Sequence, residues 1–252
     1  MTSETAPSPT GRELELDGQT VVVIGGSAGI GLETARRARG EGAEVILVAR
    51  NPERLEEAAR DVDAHDTAAF DANDPEMLKR FFTELSDPID HVLVTGPGPK
   101  YVPLLEMDAD DVRDALGDHV VLGLEVARNA APRMRPGGTL LLMGGTGGRR
   151  ISRELGLVSA ATAVLPPFVA TLALELAPVR VNLIAAGFVD TPLSASLLGD
   201  RLEERRQQLR DTLPVGRVVG PEDVAALAVQ LMANTAVTGA TYDIDGGQQY
   251  VQ

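Results

Sequence analysis

The stretch Val21-Val22-Val23-Ile24-Gly25-Gly26-Ser27-Ala28-Gly29-Ile30-Gly31 decides how this chain folds. Four β-branched residues in a row read as a strand buried on both faces, and they run directly into a glycine turn. From Ile30 the pattern becomes helical and continues to Gly40. A helix opened this way presents unpaired N–H groups and the positive end of its dipole to whatever sits above the strand. Gly25 can take the turn, Gly29 lets the backbone approach a pyrophosphate, and Gly31 lets the helix pack closely on the sheet. Gly25, Ser27, Ala28, Gly29, Ile30 and Gly31 are therefore candidate cofactor-binding residues. Glycine turns also make plain corners, but here the strand before, the helix after and a second strand at 45–48 agree on a dinucleotide.

Outward from this unit, short apolar runs at 45–48, 91–95, 139–143, 179–184 and 241–244 read as strands. Between them, residues 30–40, 52–60, 75–85, 108–134, 165–176 and 221–232 read as helices. Strands alternating with helices imply parallel βαβ units, hence an α/β doubly wound Rossmann fold with helices on both faces of a parallel sheet. The expected organisation is a flexible tail over residues 1–13 and one dinucleotide-binding domain over 14–252. Residues 190–213 break the rhythm: Leu193, Leu197, Leu198, Leu202 and Leu209 stand among the charges of 201–210. Such an insertion after a late strand can fold over the crevice as a lid, but on charge alone it reads as a solvated surface helix.

The tip of the second strand discriminates between dinucleotides. A carboxylate there would bind the ribose 2′-hydroxyl of NAD and repel a 2′-phosphate. The strand ends Val48-Ala49-Arg50, and Arg50 can meet a 2′-phosphate with a charge-assisted hydrogen bond. NADP(H) is the expected cofactor, with Arg50 and the adjoining Asn51 at its phosphate; a plain surface arginine opening the next helix is the other reading.

Composition narrows the remaining possibilities. With no cysteine there are no disulfides, thiolate metal sites or thiol nucleophile, and no metal is expected. The net charge of −14 argues against a nucleic-acid partner. No apolar run is expected to reach the length of a membrane span, and the first residues lack a signal peptide's apolar core, so a cytoplasmic protein with a small-molecule partner is expected.

With these motifs in place, the chain resembles the short-chain dehydrogenase/reductase family from about Leu16 to Gly247. Gly25-Gly26-Ser27-Ala28-Gly29-Ile30-Gly31 is similar to the family's TGxxxGIG turn, with Ile24 where Thr is usual. The resemblance implies that Asp71 contacts the adenine, and that Gly96 lies in the equivalent of the LVNNAG segment. It also implies that Gly187, Val189 and Thr191 approach the nicotinamide carboxamide, with Ala186 replacing the usual Pro. Leu213-Pro214-Val215-Gly216-Arg217, Pro221-Glu222-Asp223 and Asp245-Gly246-Gly247 are also typical.

Family chemistry uses a Tyr as acid/base, a Lys four residues later that lowers its pKa, a Ser that orients the substrate oxygen and an Asn that completes a proton relay. The corresponding positions hold Val158, Thr162, Gly145 and His119, so none of the four residue types is retained; neighbouring Thr146 and Ser159 supply neither Tyr nor Lys. Candidate replacements are His119, since imidazole titrates nearest neutrality, and the loop pair Lys100 and Tyr101. Arg149 and Arg150 could bind an acidic substrate or sit in water. Two readings stay open: an NADP(H)-dependent oxidoreductase with an atypical active site, and a catalytically inactive NADP(H)-binding protein with a regulatory or structural role. Pro166 and Pro167 predict a kink or a fresh helix start inside the family's catalytic helix. The resemblance further implies a homodimer or homotetramer.

Overall fold

The computed structural model describes residues 14–96, 98–99, 101–149, 153 and 155–251, so the expected 1–13 tail, Lys100 and Arg150 lie outside the described residues. β1 (Thr20–Ile24) passes through the glycine turn into α1 (Gly29–Gly40), and β2 (Glu44–Ala49) leads into α2 (Pro52–Val62). β3 (Asp66–Ala69), α3 (Pro75–Glu84), β4 (Ile89–Val94) and α4 (Ala109–Ala130) follow. Next come β5 (Met134–Gly145), α5 (Gly156–Ala163), α6 (Leu165–Glu175) and β6 (Arg180–Ala186). α7 (Pro192–Leu198), α8 (Leu202–Thr212), α9 (Pro221–Ala233) and β7 (Thr241–Ile244) complete the order.

Among the described residues the strands form one parallel sheet in the order β3-β2-β1-β4-β5-β6-β7. The order reverses between β1 and β4, and at such a switch point a crevice opens beyond the carboxyl ends of the strands. Alternation along β1 sorts its side chains: Val22 and Ile24 join the core under α3, α4 and α6, while Val21 and Val23 join the core under α1, α2 and α9. Local chemistry starts the helices where it should. Asn51, Asp74 and Asp108 accept backbone N–H groups at the first turns of α2, α3 and α4, and Pro52 and Pro75 occupy first-turn positions where a missing N–H costs nothing.

Some boundaries need correction. The helix read over 108–134 stops at Ala130, and after a single 3-10 turn Met134 already belongs to β5. Pro132 explains this, because it cannot donate to the helical ladder. β3 was missed as a run because it is a short edge strand, Asp-Thr-Ala-Ala, without the β-branched signature. At the tandem prolines the helix starts anew: α5 ends at Ala163 and α6 carries Pro166 and Pro167 in its first turn. Finally, Gly156–Glu175 is long and apolar enough to cross a membrane, with a mean hydropathy of 1.9, contrary to the expectation that no run is. Its inner residues Leu165, Val169 and Leu172 pack into the sheet core, which accounts for the apolar composition.

Candidate active site

The site begins with the turn after β1. Gly25 has φ 87°, a left-handed conformation, and a Cβ there would lie 1.9 Å from Thr95 Oγ1. Thr95 Oγ1 in turn donates to the Ile24 carbonyl at 2.9 Å, tying the switch-point ends of β1 and β4 together. At Gly31 a Cβ would meet the Gly25 carbonyl oxygen at 2.2 Å, so helix and turn approach too closely for any side chain. α1 has no side-chain cap at Ala28 and no acidic residue in its first turn. Its leading N–H groups and dipole therefore face the crevice uncompensated, the arrangement that suits an anion.

Above this turn lies a cleft of about 670 Å³. Ala28, Gly29, Ile30, Gly31, Gly96, Gly187, Val189 and Thr191 all line it, so residues far apart in the chain converge there. Gly25, Ser27, Arg50, Asn51 and Asp71 are not on its wall. Arg50 follows Ala49, which is paired with Ala69 of β3, so it stands at the aligned ends of β2 and β3. It is exposed and has no hydrogen-bond or ion partner among the described residues. Asn51 uses its side-chain oxygen to cap α2 through Arg54 N at 2.9 Å, and Asp71 accepts Asn73 N at 3.0 Å.

The positions where the family carries its catalytic groups also meet here. His119, Gly145, Val158 and Thr162 all line the cleft, with Tyr101 and Thr146. The Thr162 hydroxyl is turned back to the Val158 carbonyl at 2.8 Å, and Ser159 Oγ donates to the Gly147 carbonyl at 2.8 Å. Both hydroxyls are thus committed to backbone. His119 is different. Its Nδ1 lies 3.0 Å from the Ala115 carbonyl, which can only accept, so Nδ1 carries the proton and Nε2 is left for the cleft. Arg149 pairs with Asp243 and donates to Gln249 at 2.8 Å, so its charge is already answered and it is not on the cleft wall.

The insertion after β6 also corrects an expectation. Rather than a solvated surface helix, it forms two helices, and Leu193, Leu197, Leu198, Arg201 and Arg205 wall the cleft. Arg206 clamps Asp190 with two hydrogen bonds of 2.8 and 2.9 Å, fixing α8 against the end of β6. Thr191 and Ser194 form a capping box that starts α7. Sequence reasoning missed Gln248, which is buried and accepts Phe188 N at 2.7 Å, holding the segment after β6 in place. The neighbouring Asp245-Gly246-Gly247 was the signal: Asp245 accepts Gly247 N and Gln249 N and so positions Gln248.

A parallel sheet with this switch point and glycine turn defines the Rossmann-type α/β class, and comparison with known proteins narrows it to a family. A family model described as enoyl-(acyl carrier protein) reductase matches residues 25–249. The chain is similar to the short-chain dehydrogenase/reductase ATR9 of Stachybotrys chlorohalonatus, with 28% identity over 91% of this chain and 96% of that one. It is 27% identical to carbonyl reductase family member 4 of Xenopus laevis, over 90% of this chain and 96% of that one. Among solved structures, L-sorbose reductase from Gluconobacter frateurii, complexed with NADPH and L-sorbose, superposes with a TM-score of 0.86 at 26% identity, covering 94% and 99% of the two chains. This chain belongs to the short-chain dehydrogenase/reductase family, an oxidoreductase family that uses nicotinamide cofactors.

Proposed function

We propose that this protein is an NADP(H)-dependent oxidoreductase acting on a carbonyl or hydroxyl carbon, with an atypical acid/base arrangement. The observation that carries the reading is the uncapped N-terminus of α1 opening into the same cleft that His119 lines. Ala28, Gly29, Ile30 and Gly31 would hold the dinucleotide's pyrophosphate, Gly187, Val189 and Thr191 its nicotinamide end, and Asp71 its adenine end. Arg50, exposed at the tip of β2 and without an ion partner among the described residues, supports NADP(H) over NAD. When bound, the cofactor supplies or accepts the hydride.

The protein's part is to bind, orient and move a proton. Hydride arriving at a carbonyl carbon builds negative charge on oxygen that an acid must neutralise. Val158 has no proton to give and the Thr162 hydroxyl is engaged with backbone. His119, held through Nδ1 with Nε2 toward the cleft, is the group we assign to this role, giving a proton as imidazolium or taking one as neutral imidazole. The test is NADPH oxidation, followed by absorbance, against a panel of carbonyl compounds. Wild-type turnover of generic small ketones should be slow, and His119→Gln should lower kcat by roughly 10²–10⁴. Turnover unchanged in His119→Gln would remove the assignment and direct attention to Tyr101. We further propose a cytoplasmic homodimer or homotetramer; exposed apolar side chains at Leu104, Leu105, Val164 and Leu174 support self-association.

A further inference from the structure

The turn after β7 reaches back into the cleft. Asp245 accepts Gly247 N at 2.8 Å and Gln249 N at 2.9 Å, while Gly246 and Gly247 take left-handed φ values of 64° and 86°. The turn so formed carries Gln248 inward, where it is only 4% exposed. A Cβ at Gly187 would lie 2.5 Å from Gln248 Oε1, so glycine there lets the side chain dock against the segment after β6. The Phe188 N–H can only donate, so the branch 2.7 Å from it is the amide oxygen. The other branch, Nε2, is left for a different partner. It has no acceptor among the described residues and is not sealed inside protein, and Gln248 lines the cleft.

A buried N–H left without an acceptor costs stability, so most such groups in folded proteins are paired. An amide NH2 whose own oxygen is already engaged offers two uncharged donors, which suit a carbonyl oxygen. Both occupants proposed for the cleft carry one: the carboxamide of a nicotinamide, and the carbonyl that takes the hydride. We infer that Gln248 is a ligand-contacting residue, its Nε2 donating to a carbonyl oxygen of the cofactor or of the substrate. This rests on the oxidoreductase reading. Because Gln248 is bonded to Phe188, between Gly187 and Val189, one side chain both orders that segment and meets the ligand beside it.

Gln248→Glu separates the two roles. One carboxylate oxygen still accepts the Phe188 N–H, while the other, when ionised, no longer donates. The full-chain variant is titrated with NADPH and with adenosine 2′,5′-bisphosphate, which lacks the nicotinamide end. Its KM is measured for the ketone of the panel that wild type reduces fastest. At about pH 8 a carboxamide contact predicts NADPH weakened roughly 10-fold with the bisphosphate unchanged. A substrate contact predicts unchanged NADPH affinity and a KM raised roughly 10-fold. Either loss should shrink as pH falls to about 5.5, because protonated Glu regains a donor and burial raises its pKa. Tyr101, His119, Arg201, Arg205 and Asp245 are common to variant and wild type, so their ratio at each pH isolates position 248. A thermal melt establishes folding. Gln248→Met, which lacks the donor without adding charge, replaces a misfolded Gln248→Glu and should show the same loss at every pH. No loss in either readout, equal loss of NADPH and bisphosphate, or a Gln248→Glu loss that persists at low pH would each overturn the inference and leave the oxidoreductase reading standing. A wild type that binds no NADPH would remove that reading, and this inference with it.

Discussion

Arg50 and His119 carry the two residue-scale assignments. Arg50 stands exposed at the tip of β2 with no carboxylate partner among the described residues. Arg50→Ala should weaken NADPH by roughly 10- to 100-fold and leave NADH little changed, as read by fluorescence titration of each cofactor. Equal losses for both would show that Arg50 does not meet a 2′-phosphate. His119 was recognisable from its place on α4, whereas the commitment of Nδ1 to Ala115 needed coordinates. The turn residues were legible because strand, glycines and helix are contiguous in the chain. Gln248, Arg201 and Arg205 were not, because each reaches the site only through packing of distant segments.

At the scale of elements, the break between α5 and α6 controls whether the family's usual chemistry could be rebuilt. Val158 and Thr162 both lie on α5, before Pro166 and Pro167, so the prolines do not displace them from the cleft wall. A Cβ at Gly145 would sit 3.4 Å from Thr162 Cγ2, an ordinary contact, and 3.3 Å from the Ala186 carbonyl oxygen, so the strand ends must give by a few tenths of an ångström to admit a side chain. Introduced into His119→Gln, the set Gly145→Ser, Val158→Tyr and Thr162→Lys should recover about 10²-fold in ketone reduction over the His119→Gln parent, measured as NADPH oxidation. No gain in the folded combined variant would mean that the new side chains do not reach the reacting oxygen. The prolines announced this break in the sequence, whereas the 190–213 arm misled, because its many charges mark a solvent face while Leu193, Leu197, Leu198, Arg201 and Arg205 line the cleft.

At the scale of the molecule, the sheet holds a titratable group in its centre. His91 of β4 is buried, with Nε2 2.7 Å from Gln19 Oε1 and Nδ1 lacking a partner. Burial lowers its pKa from 6.5 to about 4, helped by Arg180 and opposed by Asp90. The unfolded chain therefore binds more protons between these values, so this stabilisation is complete above pH 6.5 and is lost as pH falls toward 4. The difference corresponds to about 3 kcal/mol. Denaturant unfolding from pH 7 to pH 4 should show wild type losing stability by that margin more than His91→Gln; parallel curves would contradict it.

Parallel order and switch point followed from the alternation of strands and helices, so the crevice was legible before its walls were. The central claim is that this crevice holds a nicotinamide dinucleotide with a 2′-phosphate. The direct measurement is a fluorescence titration of the full chain with NADPH and with NADH under the same buffer and salt. The account predicts saturable binding of both, with NADPH tighter by roughly 10- to 100-fold. Tighter binding of NADH, or no saturable binding of either, would contradict it.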